Sequence, residues 1–250
     1  MIDRRQQQES LYRFPYHYLP QLSDNGGFSR FMALSWGFGY LCCLLNAAEE
    51  ILAESPESII DVGCGDGRLL SLLAGRTDAS LTGIDNSDRA IALARAFNPG
   101  QKFIAGSIDG VNEKFACVTC LDVLEHVADA EIAGFIDRLC RLVRPGGRLI
   151  VGVPSVNRPF SSKHYRHYTG QALLDQLAAA TRGLTVDKVR HVFNGSDRLF
   201  RLYSRLTCNR WWFIGCGSVE TLVWRYVWKR LRQAGPATGH QILATLRRPA

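Results

Sequence analysis

Ile59-Ile60-Asp61-Val62-Gly63-Cys64-Gly65-Asp66-Gly67 is the stretch that decides the fold, and Arg68-Leu69-Leu70-Ser71-Leu72-Leu73 follows it directly. Ile59, Ile60 and Val62 form a short β-branched apolar run, the pattern of a parallel strand buried on both faces. The run stops at three glycines, and the residues from Arg68 onward carry a helical pattern. A strand that passes through glycines into a helix is how an α/β sheet presents a nucleotide-type ligand at its carboxyl edge. The spacing narrows the ligand. Arg68 stands where a dinucleotide fingerprint needs its third glycine, and no Gly-Lys-Ser/Thr follows to make a P-loop. A carboxylate, Asp61, directly precedes G-x-G-x-G.

The next residues extend the pattern. Ser80-Leu81-Thr82-Gly83-Ile84 reads as a second strand ending in Asp85, 24 residues after Asp61. An acidic residue at about that distance from a glycine loop is placed to accept both ribose hydroxyls. Ala90 to Ala96 reads as a helix. Asp61 with its G-x-G-x-G resembles motif I of the class I S-adenosylmethionine (SAM)-dependent methyltransferases. FACVTCLDVLEHV (115–127) resembles the family's fourth strand and motif IV, and LCRLVRPGGRLIVGVP (139–154) its helix, Pro-Gly-Gly turn and fifth strand. KHYRHYT (163–169) resembles the segment that relatives place beside the substrate. The similarity covers roughly residues 55 to 192, with its motifs in the family's order.

That resemblance implies a Rossmann-like, seven-stranded, mostly parallel α/β sheet. It further implies transfer of a methyl group from SAM to a small or lipid-linked acceptor, most often at oxygen. Asp61, Gly63, Cys64, Gly65, Asp66 and Gly67 would hold the methionine end of the cofactor, and Asp85 with Asn86 the ribose. Ser107, Ile108 and Asp109 would meet the adenine, with Leu121 and Asp122 completing the site after strand four. Two positions depart from the family. Many relatives carry an acidic residue after strand three for the adenine amino group, whereas Phe103-Ile104-Ala105-Gly106 leads here to Ser107. Either Ser107 with a backbone group serves the adenine, or Asp109 does. The usual Phe-Asp opening of strand four is Phe115-Ala116.

Histidine titrates near neutrality, which suits it to proton removal from an acceptor. His126, at the carboxyl end of strand four, is the leading candidate base, and His164 and His167 are the next. Of these last two, one is expected in the pocket and the other at the cap of a helix over 170–180. Asp122-x-x-Glu125-His126 is also similar to the E-x-x-E-H of ubiquinone-pathway O-methyltransferases and small-RNA 2′-O-methyltransferases. There it binds a divalent ion, and the RNA enzymes add a later histidine, best matched by His164. Many similar D-V-L-E-H sequences belong to metal-free enzymes, and no metal ligand is assigned from the sequence. A non-catalytic SAM-binding subunit and an RNA 2′-O-methyltransferase are the alternative functions.

At 250 residues the chain is long enough for one α/β domain with decorations, and its composition is that of a globular protein. MIDRRQQQESL has no apolar stretch behind it, so no signal peptide is expected. The eight cysteines have no disulfide-framework spacing. Cys117 and Cys120 form a C-x-x-C on an expected strand, where three residues apart means opposite faces. Reduced, buried thiols in a cytoplasmic protein are the expectation.

Residues 1–54 read as an arm and a cap helix, 55–193 as the SAM-binding core, 194–238 as a basic-aromatic helical insertion, and 239–250 as the last core strand. The run from Phe28 to Leu52 is apolar, but Ser35, Gly37, Gly39 and Asn46 interrupt it, and a buried helix is expected over a membrane span. Charge divides sharply: residues 1–181 hold 17 Lys/Arg and 20 Asp/Glu, residues 182–250 hold 13 and 3. Trp211, Trp212, Trp224 and Trp228 share that basic part. Val219, Leu222, Val223, Tyr226 and Val227 repeat at helical spacing, with Arg225, Lys229, Arg230 and Arg232 on the other side. Such an element fits a lid over the acceptor or peripheral contact with an anionic membrane, with Trp224 and Trp228 at headgroup depth. Nucleic acid is not the expected partner, because the part holding the motifs is net acidic.

Overall fold

The computed structural model describes residues 21–22, 28–29, 34–212 and 214–250. The expected arm therefore lies outside the described residues, apart from a two-residue ladder in which β1 (Gln21–Leu22) pairs with β2 (Phe28–Ser29). The apolar run resolves into α1 (Leu34–Leu52). Among the described residues no helix is long and apolar enough to cross a membrane.

The central sheet uses β3 (Ser58–Val62), β4 (Ser80–Asp85), β5 (Lys102–Ala105), β6 (Phe115–Leu121), β7 (Val143–Pro154), β8 (Thr185–Asn194), β9 (Gln233–Ala234) and β10 (Gly239–Arg247). Their spatial order is β5-β4-β3-β6-β7-β10-β8-β9. The first five run parallel, and β10 enters antiparallel to both β7 and β8. The resemblance implies seven strands. The eighth, β9, corrects that count: the returning end of the insertion pairs with His191 and Val192 and covers part of the β8 edge. At the start of β8, Thr185 to Lys188 are exposed on both faces. Lys188, at that end of the strand, reaches Glu50 of α1 at 3.1 Å.

Helices α2 (Arg68–Leu73), α3 (Asp88–Phe97), α4 (Ile132–Leu142) and α5 (Gly170–Ala180) cover the sheet. α1, α2 and α3 pack on one face against Ile59, Cys117 and Ile150, while α4 and α5 pack on the other against Ile60, Cys120 and Leu149. Cys117 and Cys120 thus face opposite layers, as a strand's period of two requires. All eight cysteines are free. Each fully buried Leu or Ile in these layers contributes about 1.5–3 kcal/mol through apolar area removed from water.

The insertion holds α6 (Arg198–Thr207) and α7 (Gly217–Tyr226), the latter continuing as a π-turn over Val227–Leu231. It leaves from the end of β8 and returns to the start of β10, both at the sheet's carboxyl edge. Phe200, Val227 and Leu231 pack on Phe38, Cys42 and Cys43 of α1. Trp224 stacks on Phe38 at 6.1 Å and on Trp228 at 5.5 Å, and the Arg232 guanidinium lies 3.9 Å from the Trp228 ring centre. The placement of Trp224 and Trp228 at headgroup depth is therefore corrected: they are the glue between insertion and cap. Arg232, expected on the outer side, turns inward and pairs with Glu49.

Candidate active site

The glycine loop is shaped by what touches it. Gly63 and Gly67 adopt φ of +76° and +77°, in the left-handed region. A Cβ on Gly63 would lie 2.3 Å from Val123 Cγ2, and one on Gly67 would lie 2.8 Å from Phe103 Cζ. These two glycines let motif IV and β5 close on the loop. The Cys64 side chain is buried against β4, with its Sγ 2.8 Å from a Cβ on Gly83, so Cys64 offers a ligand only its backbone.

Asp85, at the end of β4, pins the loop. Its Oδ2 accepts from the Gly65 amide and its Oδ1 from the Ser87 amide, each at 2.9 Å. The neighbouring Asn86 is exposed, and Asp66 is half-buried. Asp61 is buried beneath the loop, its Oδ1 accepting from the Thr119 hydroxyl at 2.7 Å. Burial pushes the Asp61 carboxyl up to about 7; the Thr119 hydrogen bond opposes this, and the Asp85 charge adds to it.

Across the carboxyl edge, Ser107 caps the 3₁₀ turn Ile108–Gly110. Its hydroxyl donates to Asp109 Oδ2 at 2.7 Å, and Asp109 also pairs with Arg138 at 3.3 Å. Ile108 is buried in the core of that face. Both candidates for the adenine thus share one turn, and Asp109 already has a cation.

β6 ends in the half-buried pair Leu121 and Asp122. Asp122 takes φ +54°, a conformation that strains most L-residues, and its carboxylate accepts from Gln241 Nε2 at 2.9 and 3.2 Å. Glu125 lies in the following turn. Its side chain is 1% exposed, and its Oε2 has no hydrogen-bond partner. Burial first, then the Asp122 charge, holds the Glu125 carboxyl well above the usual carboxylate range.

KHYRHYT crosses over this turn. Arg166 donates to Leu124 O at 2.7 Å and pairs with Asp129, while the Tyr165 amide donates to Glu125 O. Tyr168 is buried and donates to Gln176. His126 and His164 meet edge to face with ring centres 4.7 Å apart, and His164 Nδ1 is 2.8 Å from His167 Nε2. The expectation that one of these histidines caps the next helix is corrected, because Thr169 caps α5 through the Ala172 amide. All three histidines join the site.

The hydrogen bonds order the histidine tautomers. His126 Nδ1 faces Lys163 O at 3.3 Å and so carries the proton, leaving Nε2 as a lone pair. Backbone groups at Ser155 and Arg158 also favour the protonated form of His167, although burial, first, and the Arg158 charge lower its pKa. One of His164 Nδ1 and His167 Nε2 donates to the other across their 2.8 Å contact, and His164 Nε2 lies outside that bond. Burial, then the Lys163 charge, lowers His126 to about 4; burial, then His126, lowers His164 to about 3. Both imidazoles are neutral at pH 7. One ligand atom from each of Glu125, His126 and His164 lies within 4.8 Å of the others. An unpartnered buried carboxylate oxygen facing two neutral imidazoles fits a divalent cation, Zn²⁺ better than Mg²⁺. Beside His167 a solvent-open cavity of about 590 Å³ is lined by Val156, Asn157, Arg158, Pro159 and Phe160.

Gln241 and Arg158 fall in no motif, and Thr119 and Lys163 lie inside FACVTCLDVLEHV and KHYRHYT without being singled out by them. Gln241 reaches Asp122 from 119 positions away, a distance at which no spacing rule operates.

Residues 34–211 match a family model described as a methyltransferase domain. The ubiquinone biosynthesis O-methyltransferase of Schizosaccharomyces pombe is 36% identical over 110 residues, 40% of this chain and 39% of that protein. Its counterpart in Rhizobium johnstonii is 32% identical over 156 residues, 56% of this chain and 61% of that protein. The chain spans about half the length of the curated relatives it matches. Among solved structures, magnesium protoporphyrin IX methyltransferase from Synechocystis PCC 6803 with bound SAM aligns with a TM-score of 0.61 at 15% identity, over 99% of this chain and 98% of that one. The N-methyltransferase NodS from Bradyrhizobium japonicum WM9, in complex with S-adenosyl-L-homocysteine, gives 0.59 at 15% identity over 100% of both chains. These two likenesses are of fold.

Proposed function

We propose, starting from the fact that this chain belongs to the methyltransferase domain family, that it transfers a methyl group from SAM to an oxygen of a small or lipid-linked acceptor. The observation that carries the reading is the convergence at one sheet edge of two sets of groups: Asp61, Asp85 and the glycine loop on one side, His126, His164 and His167 on the other. Curated relatives named as O-methyltransferases, 32–38% identical over part of the chain, support oxygen as the acceptor atom.

Methyl transfer is an in-line displacement on a sulfonium, and the protein's main task is to align donor and acceptor. Asp61 sits beneath the loop where it can face the methionine ammonium. Asp85, at the end of β4 and bonded to the glycine loop, stands where a carboxylate would meet ribose hydroxyls. His126 presents a neutral Nε2 that accepts the acceptor's proton as the oxygen takes the methyl. Its low basicity limits that role, since proton transfer is most effective with a base whose pKa lies near the working pH.

That limit, with the unpartnered Glu125 oxygen, favours a second reading of the same residues. Glu125, His126 and His164 would hold a divalent ion, which when bound lowers the pKa of an acceptor hydroxyl. His167 then acts through His164, fixing its tautomer and ring orientation.

The test combines SAM titration with transfer of labelled methyl from SAM into cell extract. His126→Ala should leave SAM affinity nearly intact and lower turnover by roughly 10²–10⁴, the worth of proton-transfer catalysis. Unchanged turnover would move the role to His164 or His167. Loss of activity on chelation, restored by Zn²⁺ or Mg²⁺, would select the metal reading. SAM binding with no methyl transfer into any extract would leave a non-catalytic SAM-binding subunit.

A further inference from the structure

α6 has three faces. Phe200, Tyr203 and Thr207 turn inward, where Phe200 and Tyr203 meet Phe38 of the cap helix. Leu199, Leu202 and Leu206, at i, i+3 and i+7, form a second stripe that touches solvent, exposed to 64%, 55% and 57%. Arg198, Arg201 and Arg205 repeat the same spacing as a third stripe, also exposed. The turn after α6 extends the apolar face. Asn209 Oδ1 accepts from the Trp211 and Trp212 amides, and Trp212 Nε1 donates to Leu206 O at 2.8 Å. This holds Trp212 beside the leucine stripe and leaves Trp211 78% exposed. Leu222 of α7 is 63% exposed. A stripe of leucines and two tryptophans outside the core is what an interfacial helix shows, not what a lone soluble surface shows.

We infer that α6 and the Trp211-Trp212 turn form a docking surface for an anionic lipid bilayer. Charge selects the occupant. Residues 194–238 hold eight Lys/Arg against Asp197 and Glu220 alone, and the exposed Arg198, Arg201 and Arg205 beside the apolar stripe match lipid phosphates. A second copy meeting this face about a twofold axis would set arginine row against arginine row. The surface is also directed usefully. The insertion leaves and rejoins the sheet at the carboxyl edge, where the glycine loop and the histidines lie. An insertion docked on the bilayer would hold that edge close to the membrane. An acceptor with a lipid tail could then reach the site without leaving the membrane. The inference rests on the methyl-transfer reading only for this last step; the surface stands without it.

The test uses the full chain with vesicles of phosphatidylglycerol and phosphatidylcholine, compared with vesicles of phosphatidylcholine alone. Co-sedimentation is measured at about 50 mM and about 500 mM salt, which changes the screening length severalfold. Binding to the anionic vesicles is expected, weakened at least tenfold by high salt. Each arginine near such a surface strengthens partitioning roughly fivefold. The double variant Leu202→Glu, Leu206→Glu changes exposed positions only and should lose binding. Trp211→Ala with Trp212→Ala should weaken it by a second route. SAM titration and thermal melting on the same preparations check that both variants remain folded. Vesicle binding without SAM binding would keep the surface and sink the proposed reaction, and SAM binding without vesicle binding would do the reverse. Equal binding to both vesicle types, or variants that bind like the parent, would overturn the inference. So would a dimer in light scattering that Leu202→Glu dissociates, which would give the face to a second copy.

Discussion

Asp61→Asn separates what the carboxylate does for the cofactor from what it costs the fold. The Asp61 side chain is 5% exposed, with its carboxyl raised from 3.8 to about 7, chiefly by burial. A raised carboxyl means that the native state keeps its proton after the unfolded chain has lost it. Stability therefore falls as pH rises from about 3.8 to about 7, and stays low above that. A displacement of that size disfavours the ionised native state by roughly 4 kcal/mol at most. Asparagine keeps the oxygen that accepts from Thr119 and removes the charge, but it adds an N–H whose desolvation costs about 1–3 kcal/mol if unmet. The variant should thus be about 1–3 kcal/mol more stable than the parent above pH 7, with the difference shrinking toward pH 4. It should also bind SAM at least tenfold more weakly at pH 8, having lost an ion pair to the methionine ammonium. In the parent, SAM binding should weaken as pH falls below 7 and should release a proton, visible as a buffer-dependent heat in calorimetry. Denaturant unfolding at pH 5, 7 and 8.5, with SAM titrations at the same values, checks all of this. A variant no more stable than the parent at pH 8.5, with SAM affinity intact, would refute both the burial argument and the assignment of the methionine end.

Asp85→Ala removes two amide-to-carboxylate bonds of 2.9 Å, one to Gly65 of the glycine loop and one to Ser87 at the start of α3. SAM titration should show affinity reduced tenfold or more, since hydrogen bonds to a charged group contribute about 1.5–3 kcal/mol each. Gln241→Leu deprives Asp122 of its amide donor at a strained backbone position. Thermal melting should show a loss of about 1–3 kcal/mol, and SAM affinity should fall with it because the β6 turn loosens. Trp224→Ala opens the stack between Phe38 and Trp228 and should cost about 3–5 kcal/mol. Trp211→Ala, at an exposed site, should change stability by less than about 0.5 kcal/mol; denaturant midpoints compare the two.

The arrangement of the candidate cofactor residues was legible because its determinants are local. Asp61, the glycines and Asp85 lie on consecutive strand ends, and parallel βαβ geometry brings consecutive strand ends together. The histidines were legible by chemistry but not by arrangement. Nothing in KHYRHYT says that His164 and His167 share a hydrogen bond while Thr169 caps the helix. The insertion misled for a definite reason. In α6, residues 199, 202 and 206 and residues 200, 203 and 207 both satisfy helical spacing, and periodicity cannot say which stripe meets the protein. In α7 the aromatic face fitted a lid or a membrane surface, because the cap helix that receives it lies some 180 positions earlier in the chain. The Gln241 contact to Asp122 and the β9 edge pairing are equally non-local.

β10, the last strand in sequence, sits between β7 and β8. During synthesis, then, β7 and β8 emerge with bare edges on the sides that will later face each other. Neither can be completed until residues 239–247 have left the ribosome, after the whole insertion. Closing such a sheet fixes a long loop before its ladder bonds are gained, which slows folding and prolongs exposure of strand edges to other chains. The polar, exposed half of β8 from Thr185 to Lys188 then acquires a use beyond the finished fold. It keeps the waiting edge too hydrophilic to recruit a neighbour while the final strand is still being made.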